Sequence, residues 1–339
     1  MSRANSRTTS QDCGNIVQWE HININVSDSD LTFYFYFQAL GFTLDPYLPS
    51  PFYNRVYWAN VGQQQFHLVR WNQPQVIPGG TIVVQVPSLE QLESRLVSVS
   101  KSLKGTSFKW NKQHGQNEDE IAIHVTCPWG NAFMMVEKNR IPTSLRDTLE
   151  LPSVGYPWEL GICSLLLRCA KDSAKGIAEF FRRVLFARVE EKKIHDKTAA
   201  VVFLGPRQTV VFEQDESMPL PKQEENGQQP QGAAADDDAM YPDYHLCIYI
   251  AEFQKAYERV EALGLLYNDH IFSDKVYSYQ DALVHNQFRL RDILDLEAHA
   301  RGQRRVLYRL QLETRSLYHP FFMRPLVNRM GQVGIYCFQ

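Results

Sequence analysis

One pattern recurs four times along this chain, and few folds accommodate it. Each occurrence is a strand, a short polar cap, a helix and then trailing strands. The first and clearest copy is Trp19 to Phe42, WEHININVSDSDLTFYFYFQALGF. Strand side chains alternate between faces, so Ile22, Ile24 and Val26 point to a helix layer. The opposite face carries His21, Asn23 and Asn25, a polar set for a strand so close to a core. Ser27-Asp28-Ser29-Asp30 offers side-chain oxygens to the unpaired N–H groups of a helix start. Phe33, Phe37 and Leu40 share one stripe of the predicted helix, and Gly41 ends it.

The other copies follow in order. The first unit continues with strands at 55–60 (RVYWAN) and 64–70 (QQFHLVR) around a Val61-Gly62 turn. The second opens with TIVVQV at 81–86, and its helix starts near Ser88, with Gln91 in the Glu/Gln position of a capping box. Strands at 107–110, 121–126 and 132–137 follow, the last two joined by the turn CPWGN. The third unit has a strand at 162–169, a Lys171-Asp172-Ser173 cap, a helix at 177–186, and strands at 199–204 and 208–213. The fourth has a strand at 245–250, a helix at 252–263, and strands near 288–293 and 306–313. Four units in matched order are an internal repeat, with each unit needing a neighbour to cover its apolar face.

Bulk properties narrow the function. A length of 339 residues allows two domains, and 44% hydrophobic with 22% charged residues is ordinary for a globular chain. A net charge of −3 argues against general nucleic-acid binding. Residues 213–243 hold nine acidic side chains and one Lys, and their low complexity predicts a disordered insert. Residues 301–329 hold seven Arg against one Glu. Arg315, His319, Arg324 and Arg329 either bind a carboxylate or phosphate or belong to a latch laid over a sheet edge. The six cysteines lack CxxC spacing, which fits reduced core thiols and a cytoplasmic location. No apolar run reaches transmembrane length and no hydrophobic leader opens the chain. No G-x-G-x-x-G follows a strand, and P-loop, G-x-S-x-G and H-E-x-x-H motifs are absent.

The His-bearing first strand, the Asp-containing cap, the FYFQALGF helix end and the CPWGN turn resemble the vicinal oxygen chelate superfamily of glyoxalases, bleomycin-resistance proteins and extradiol dioxygenases. The resemblance covers roughly residues 16–313. It implies an α+β fold of two modules, each pairing two βαβββ-type units into a cupped mixed sheet. Pairing consecutive units divides the chain into a disordered 1–15, a first module 16–140, a linker 141–157, a second module 158–313 with the insert 215–243, and a tail 314–339.

The resemblance also implies where a divalent metal is held: on the first and last strands of each unit, facing the cup. Carried over by position, the first module offers His21 and His67, then Thr81 and Met134. The second offers Ser164 or Leu166, Val211 with Glu213 nearby, then His245 and either Gln311 or Glu313. The candidate metal ligands are therefore His21, His67, His245 and Glu313, with iron, manganese, zinc or nickel as the cation. The expected site is the first-module cup: His21 and His67 as catalytic groups, His serving as a base near neutral pH, and Asn23, Asn25, Gln65, Tyr57 and Met134 around a small polar or aromatic ligand. Trp19 is a further wall of that cup, and His124 either faces it or is a cross-strand polar residue.

Three functions stay open on this basis. One is a glyoxalase- or dioxygenase-like protein that binds a small molecule in the first-module cup. Another is a metal-dependent extradiol-type dioxygenase or lyase using His245, Glu313 and a third ligand. The last is a non-catalytic scaffold for protein contacts. A small molecule is the expected partner and a homodimer a compatible assembly; neither nucleic acid nor membrane is expected.

Overall fold

A computed structural model describes residues 14–47, 55–115, 120–138, 140–141, 160–194, 196–223, 244–269 and 271–329. Most of the expected linker 141–157, the first 13 residues, and residues 224–243 and 330–339 lie outside these. The architecture is α+β, with two mixed sheets and helices against their convex faces.

The first unit supplies β1 (Ile16–Val26), β2 (Thr43–Leu44), β3 (Val56–Val61) and β4 (Gln64–Arg70). The second supplies β5 (Thr81–Gln85), β6 (Lys109–His114), β7 (Ile121–Thr126) and β8 (Ala132–Val136). The third supplies β9 (Gly161–Cys169), β10 (Val189–Ile194), β11 (Lys197–Gly205) and β12 (Gln208–Gln214). The fourth supplies β13 (His245–Ile250), β14 (Gln287–Leu294) and β15 (Val306–Ser316).

The sheets join units that are not neighbours in sequence. One runs β14-β15-β13-β1-β4-β3-β2 and the other β10-β11-β12-β9-β5-β8-β7-β6. The first unit thus shares a sheet with the fourth, and the second with the third. This corrects the consecutive pairing expected from the sequence. The joints are antiparallel: β1 against β13, with Asn23 opposite His245, and β5 against β9, with Val83 opposite Ser164.

Consecutive units meet instead through the apolar layer. Phe35 and Tyr36 of the first unit contact Phe133 of the second, with ring centroids 5.5 and 6.2 Å apart. Phe212 of the third unit packs on Tyr308 of the fourth at 5.1 Å. Ile22, Ile24 and Val26 are fully buried in this layer, as their alternation required. The helix after β1 departs from the simple stripe. Asp28 caps it, its Oδ1 accepting from the Leu31 N–H, but Phe33–Ala39 widens into a π-helix. Phe35, Tyr36 and Ala39 are buried there, while Phe33 and Phe37 are only partly covered. β10 and the helices Tyr279–His285 and Leu296–Ala300 were not legible in the sequence.

Two glutamine amides clamp one sheet to the other. Gln64 Nε2 donates to the Ile162 carbonyl while the Ile162 N–H donates to Gln64 Oε1, at 2.9 and 2.8 Å. Gln208 makes the matching pair with Trp19: the Trp19 N–H donates at 2.9 Å and Gln208 Nε2 returns a bond to the carbonyl at 3.1 Å. Both glutamines open a last strand, β4 or β12, and each reaches the first strand of the other's unit. The seam also requires Gly62, whose φ is +66° and where a Cβ would fall 2.0 Å from the Leu160 carbonyl oxygen.

Gln208→Ala leaves the buried N–H and C=O of Trp19 without partners. The expected loss is about 1–3 kcal/mol of stability, read as a lowered urea midpoint at unchanged slope. A wild-type midpoint would mean that the clamp contributes nothing to the seam.

Candidate active site

The pairing of first and fourth units gathers residues that lie more than 220 positions apart, as Glu20 and Cys247 do. In the first unit His21 faces Gln65 and Asn23 faces His67 across the parallel β1–β4 pair. In the fourth His245 faces Gln311 and Cys247 faces Glu313 across β13–β15. The corresponding positions of this cup are therefore His21, His67, His245 and Glu313. The other sheet has Ser164 facing Thr209 and Leu166 facing Val211, with Thr81 facing Ala132 and Val83 facing Met134. Its corresponding positions are Ser164, Val211, Thr81 and Met134. None offers an imidazole or a carboxylate, and Val83, Met134, Leu166 and Val211 belong to apolar clusters on that sheet.

The polar cup is a cavity of about 350 Å³. At its base three ligand-type atoms converge: His21, His245 and Glu313 each offer one, all within 4.8 Å of one another. His21 Nε2 lies 3.4 Å from His245 Nε2, which lies 3.5 Å from Glu313 Oε2. Ligands bonded near 2 Å to one tetrahedral cation are separated by roughly 3.3 Å, so the donor set fits a divalent metal. Its chemistry fits as well. Burial lowers His21 to about 3, against a partly opposing pull from Glu313, and holds His245 well below 6.5. Both imidazoles are neutral at pH 7 and keep a lone pair for a cation. Burial would raise the Glu313 carboxyl, but Arg315 and Arg289 override it and hold Glu313 ionised.

A β-bulge orients His21. Between Trp19 and His21 the first strand advances two residues while β13 advances one. The extra residue is Glu20, which the bulge turns beside its neighbour instead of to the opposite face. Glu20 Oε2 lies 3.2 Å from His21 Nδ1, accepts from Cys247 Sγ at 3.3 Å, and accepts from Arg315 Nη1 at 2.6 Å. A proton on His21 Nδ1 is thereby favoured, leaving Nε2 aimed at the triad, the outer-shell arrangement of a metal-bound histidine. Strict alternation hides Glu20, because a bulge breaks the period of two.

His67 takes a different place from the ligand position expected. Gln65 Nε2 donates to Asp45 Oδ2 and Asn60 Oδ1, both at 2.7 Å, so Gln65 Oε1 is the acceptor for His67 Nε2–H at 3.2 Å. The His67 ring is sandwiched between His21, with centroids 3.7 Å apart, and Trp58 at 4.6 Å. Its Nε2 is committed to Gln65, outside the three converging atoms.

Of the remaining expected residues, Asn23 lines the cup, and fully buried Asn25 lies on the same face of β1. Tyr57 is on the helix side: it packs on Phe33 and its hydroxyl donates to Ser29 Oγ at 2.9 Å. Trp58, one residue on, faces the cup instead. Met134 lies on the other sheet, beside His124 across β7–β8. Trp19 is buried, its indole donating to the His21 carbonyl at 3.0 Å.

The basic tail joins the cup. Arg315 Nη2 lies 2.5 Å from Glu313 Oε1, and Arg289 Nη2 donates to Glu313 Oε2 at 2.7 Å. His319 and Phe321 line the cavity, and Arg324 donates to buried Asp45 at 2.8 Å. The Asn60 amide donates to the Val327 carbonyl, and Asn328 brackets the backbone of Gly62. The tail is thus a latch over the rim of the sheet, with Arg315 drawn into the centre.

No protein-family model matches the chain, and no curated protein matches it in sequence. Among solved structures, it superposes on glyoxalase I from Zea mays with a TM-score of 0.51 at 12% identity, covering 88% of this chain and 92% of that one. A point mutant of the same maize protein gives a TM-score of 0.52 at 11% identity over 91% of this chain and 96% of that one. A second point mutant of it gives 0.52 at 12% over 88% and 92%. The chain shares the overall fold of these maize glyoxalase I structures. None of its described helices is long and apolar enough to cross a membrane.

The neutral histidines predict an acid sensitivity of defined sign. Their folded pKa lies below the unfolded value, so the unfolded chain binds more protons as pH drops beneath 6.5. Stability of EDTA-treated protein should fall between about pH 7 and pH 5, by up to ~1.4 kcal/mol per pH unit for each such histidine. Urea midpoints across that range check it; a flat profile would mean that these imidazoles take up protons equally in the folded and unfolded chain.

Proposed function

We propose that the chain is a glyoxalase- or dioxygenase-like protein that binds a small polar or aromatic molecule in the cup of its first and fourth units, with a divalent cation held by His21, His245 and Glu313. The convergence of two neutral imidazole nitrogens and an ionised carboxylate within 4.8 Å carries this reading. When bound, such a cation supplies Lewis acidity toward a substrate oxygen. The chain's own groups do the rest. Glu20 orients His21, and His67, stacked between His21 and Trp58, holds one wall in place. Trp58, Phe272 and Phe321 offer apolar surface to a ligand ring. His319, lowered to about 4 chiefly by burial and then by Arg315, is neutral at pH 7; its Nδ1 accepts from the Phe321 N–H, so Nε2 carries the proton and is a donor for a ligand.

A second reading is metal-free binding without turnover. It is favoured by Arg289 and Arg315, which already neutralise Glu313. The scaffold reading has less support, since the cup is polar and open. The buried free thiols of Cys127, Cys163, Cys169 and Cys247 support a reducing compartment, the cytoplasm.

Elemental analysis after reconstitution with iron, manganese, zinc or nickel separates the first two readings. The expected result is about one metal per chain, lost in His245→Ala and in Glu313→Gln and retained in Met134→Ala and Tyr57→Phe. Absence of metal under every condition would leave the binding cup alone.

A further inference from the structure

Two hydrogen-bond donors in the cup have no acceptor among the described residues. Arg289 is 6% exposed, and its Nε–H meets no partner there. Asn23 is 4% exposed, and its Nδ2 is likewise unpaired. Both line the cavity. Buried donors without acceptors are unfavourable and uncommon, so two among the residues lining one cavity, on β1 and β14, point to a ligand that brings acceptors.

The remaining contacts of Arg289 define the acceptor's shape. Its Nη1 pairs with Asp274 at the rim, its Nη2 with Glu313 Oε2 at 2.7 Å, and its guanidinium lies over the Phe272 ring at 4.4 Å. Nε and Nη2 form the side-on edge of a guanidinium, the fork that takes a planar carboxylate through two parallel bonds. Half of that fork is free and the other half rests on Glu313. Glu313 Oε2 is also the carboxylate oxygen that faces His245 Nε2. A cation on the triad and Arg289 therefore contend for one oxygen atom. A cation that takes it frees Nη2 beside the vacant Nε, while Asp274 and Phe272 continue to hold the guanidinium in place.

We propose that the cup takes a carboxylate-bearing small molecule on the Nε–Nη2 fork of Arg289, with Asn23 as an additional donor, and that cation and carboxylate bind cooperatively because the cation relieves Arg289 of Glu313. This rests on the cation site proposed above and adds the ligand class and the linkage between the two. By reciprocity, the carboxylate tightens the cation by the same factor that the cation tightens the carboxylate.

The test uses benzoate, which matches the aromatic walls, and benzamide, its neutral isostere. Calorimetry follows benzoate binding to the full chain with and without one equivalent of zinc. The expected result is at least about a tenfold tighter benzoate with zinc and no such gain for benzamide. Arg289→Lys keeps the charge and lacks the fork. It should retain one zinc per chain and its circular dichroism spectrum while losing the tenfold gain, and Asn23→Ala should weaken benzoate to a smaller extent. Zinc bound at one per chain with benzoate affinity unchanged, or a gain surviving in Arg289→Lys, would overturn the carboxylate site and leave the cation site standing. Zinc failing to bind wild-type protein, while binding remains intact in controls on a known zinc site, would remove the cation reading and this linkage with it.

Discussion

The antiparallel joint between β1 and β13 is the interaction on which the site depends. It sets a strand beginning at Ile16 against one ending at Ile250, and it brings the two unit-opening histidines to one end of a shared sheet. Neither unit alone has a usable donor set. The first has His21 with a committed His67; the fourth has His245 with a Glu313 held by two arginines. Joining them costs the closure of a very long loop, but that entropy grows only logarithmically with length. The glutamine clamps and the apolar contacts between consecutive units fix the two sheets relative to each other. Sheets link first to fourth and second to third, while the apolar layer links first to second and third to fourth. Each unit is therefore held by two different neighbours, and the glutamine clamps add a third link between the first and third units.

The two sheets share a strand register and differ in the chemistry of matching positions. The same strand positions carry His21, His67, His245 and Glu313 on one sheet and Ser164, Val211, Thr81 and Met134 on the other. The second set offers no imidazole or carboxylate to a divalent cation, and its surroundings are apolar. In the polar cup, burial makes both tendencies stronger. It keeps the imidazoles neutral and it makes each carboxylate–guanidinium contact more consequential. Glu20, Glu313 and Asp274 are opposed there by Arg289 and Arg315, so the guanidinium groups share the carboxylate oxygens that the proposed cation would need.

Much of the fold was legible because its signals are local. Alternation placed Ile22, Ile24 and Val26 in the core, and repetition of strand, cap and helix gave four units. The positions of His21, His245 and Glu313 on their strands were legible too, since they follow from strand order within a unit. Which units share a sheet was not legible, because pairing between units rests on long-range complementarity that no local period records. A place in the cup for Tyr57 and Met134 requires consecutive pairing and an unshifted strand, and the structure puts them on the helix side and on the other sheet. Glu20 is hidden by a bulge, and Arg289 because its strand joins the cup only through long-range pairing with β15. Arg315 and His319 carry a signal in the basic tail, and the latch reading of that tail holds, with Arg315 and Arg324 paired to the chain's own carboxylates.

The central claim is that the first and fourth units build one cup. It is tested most directly by nuclear Overhauser contacts between histidine rings in deuterated protein with histidine-selective labelling. His21 should show cross-peaks to both His67 and His245, assigned by their loss in His67→Gln and His245→Gln. A His21 ring that contacts His67 but not His245 would mean that these units do not share a sheet, and the account of the site would fail.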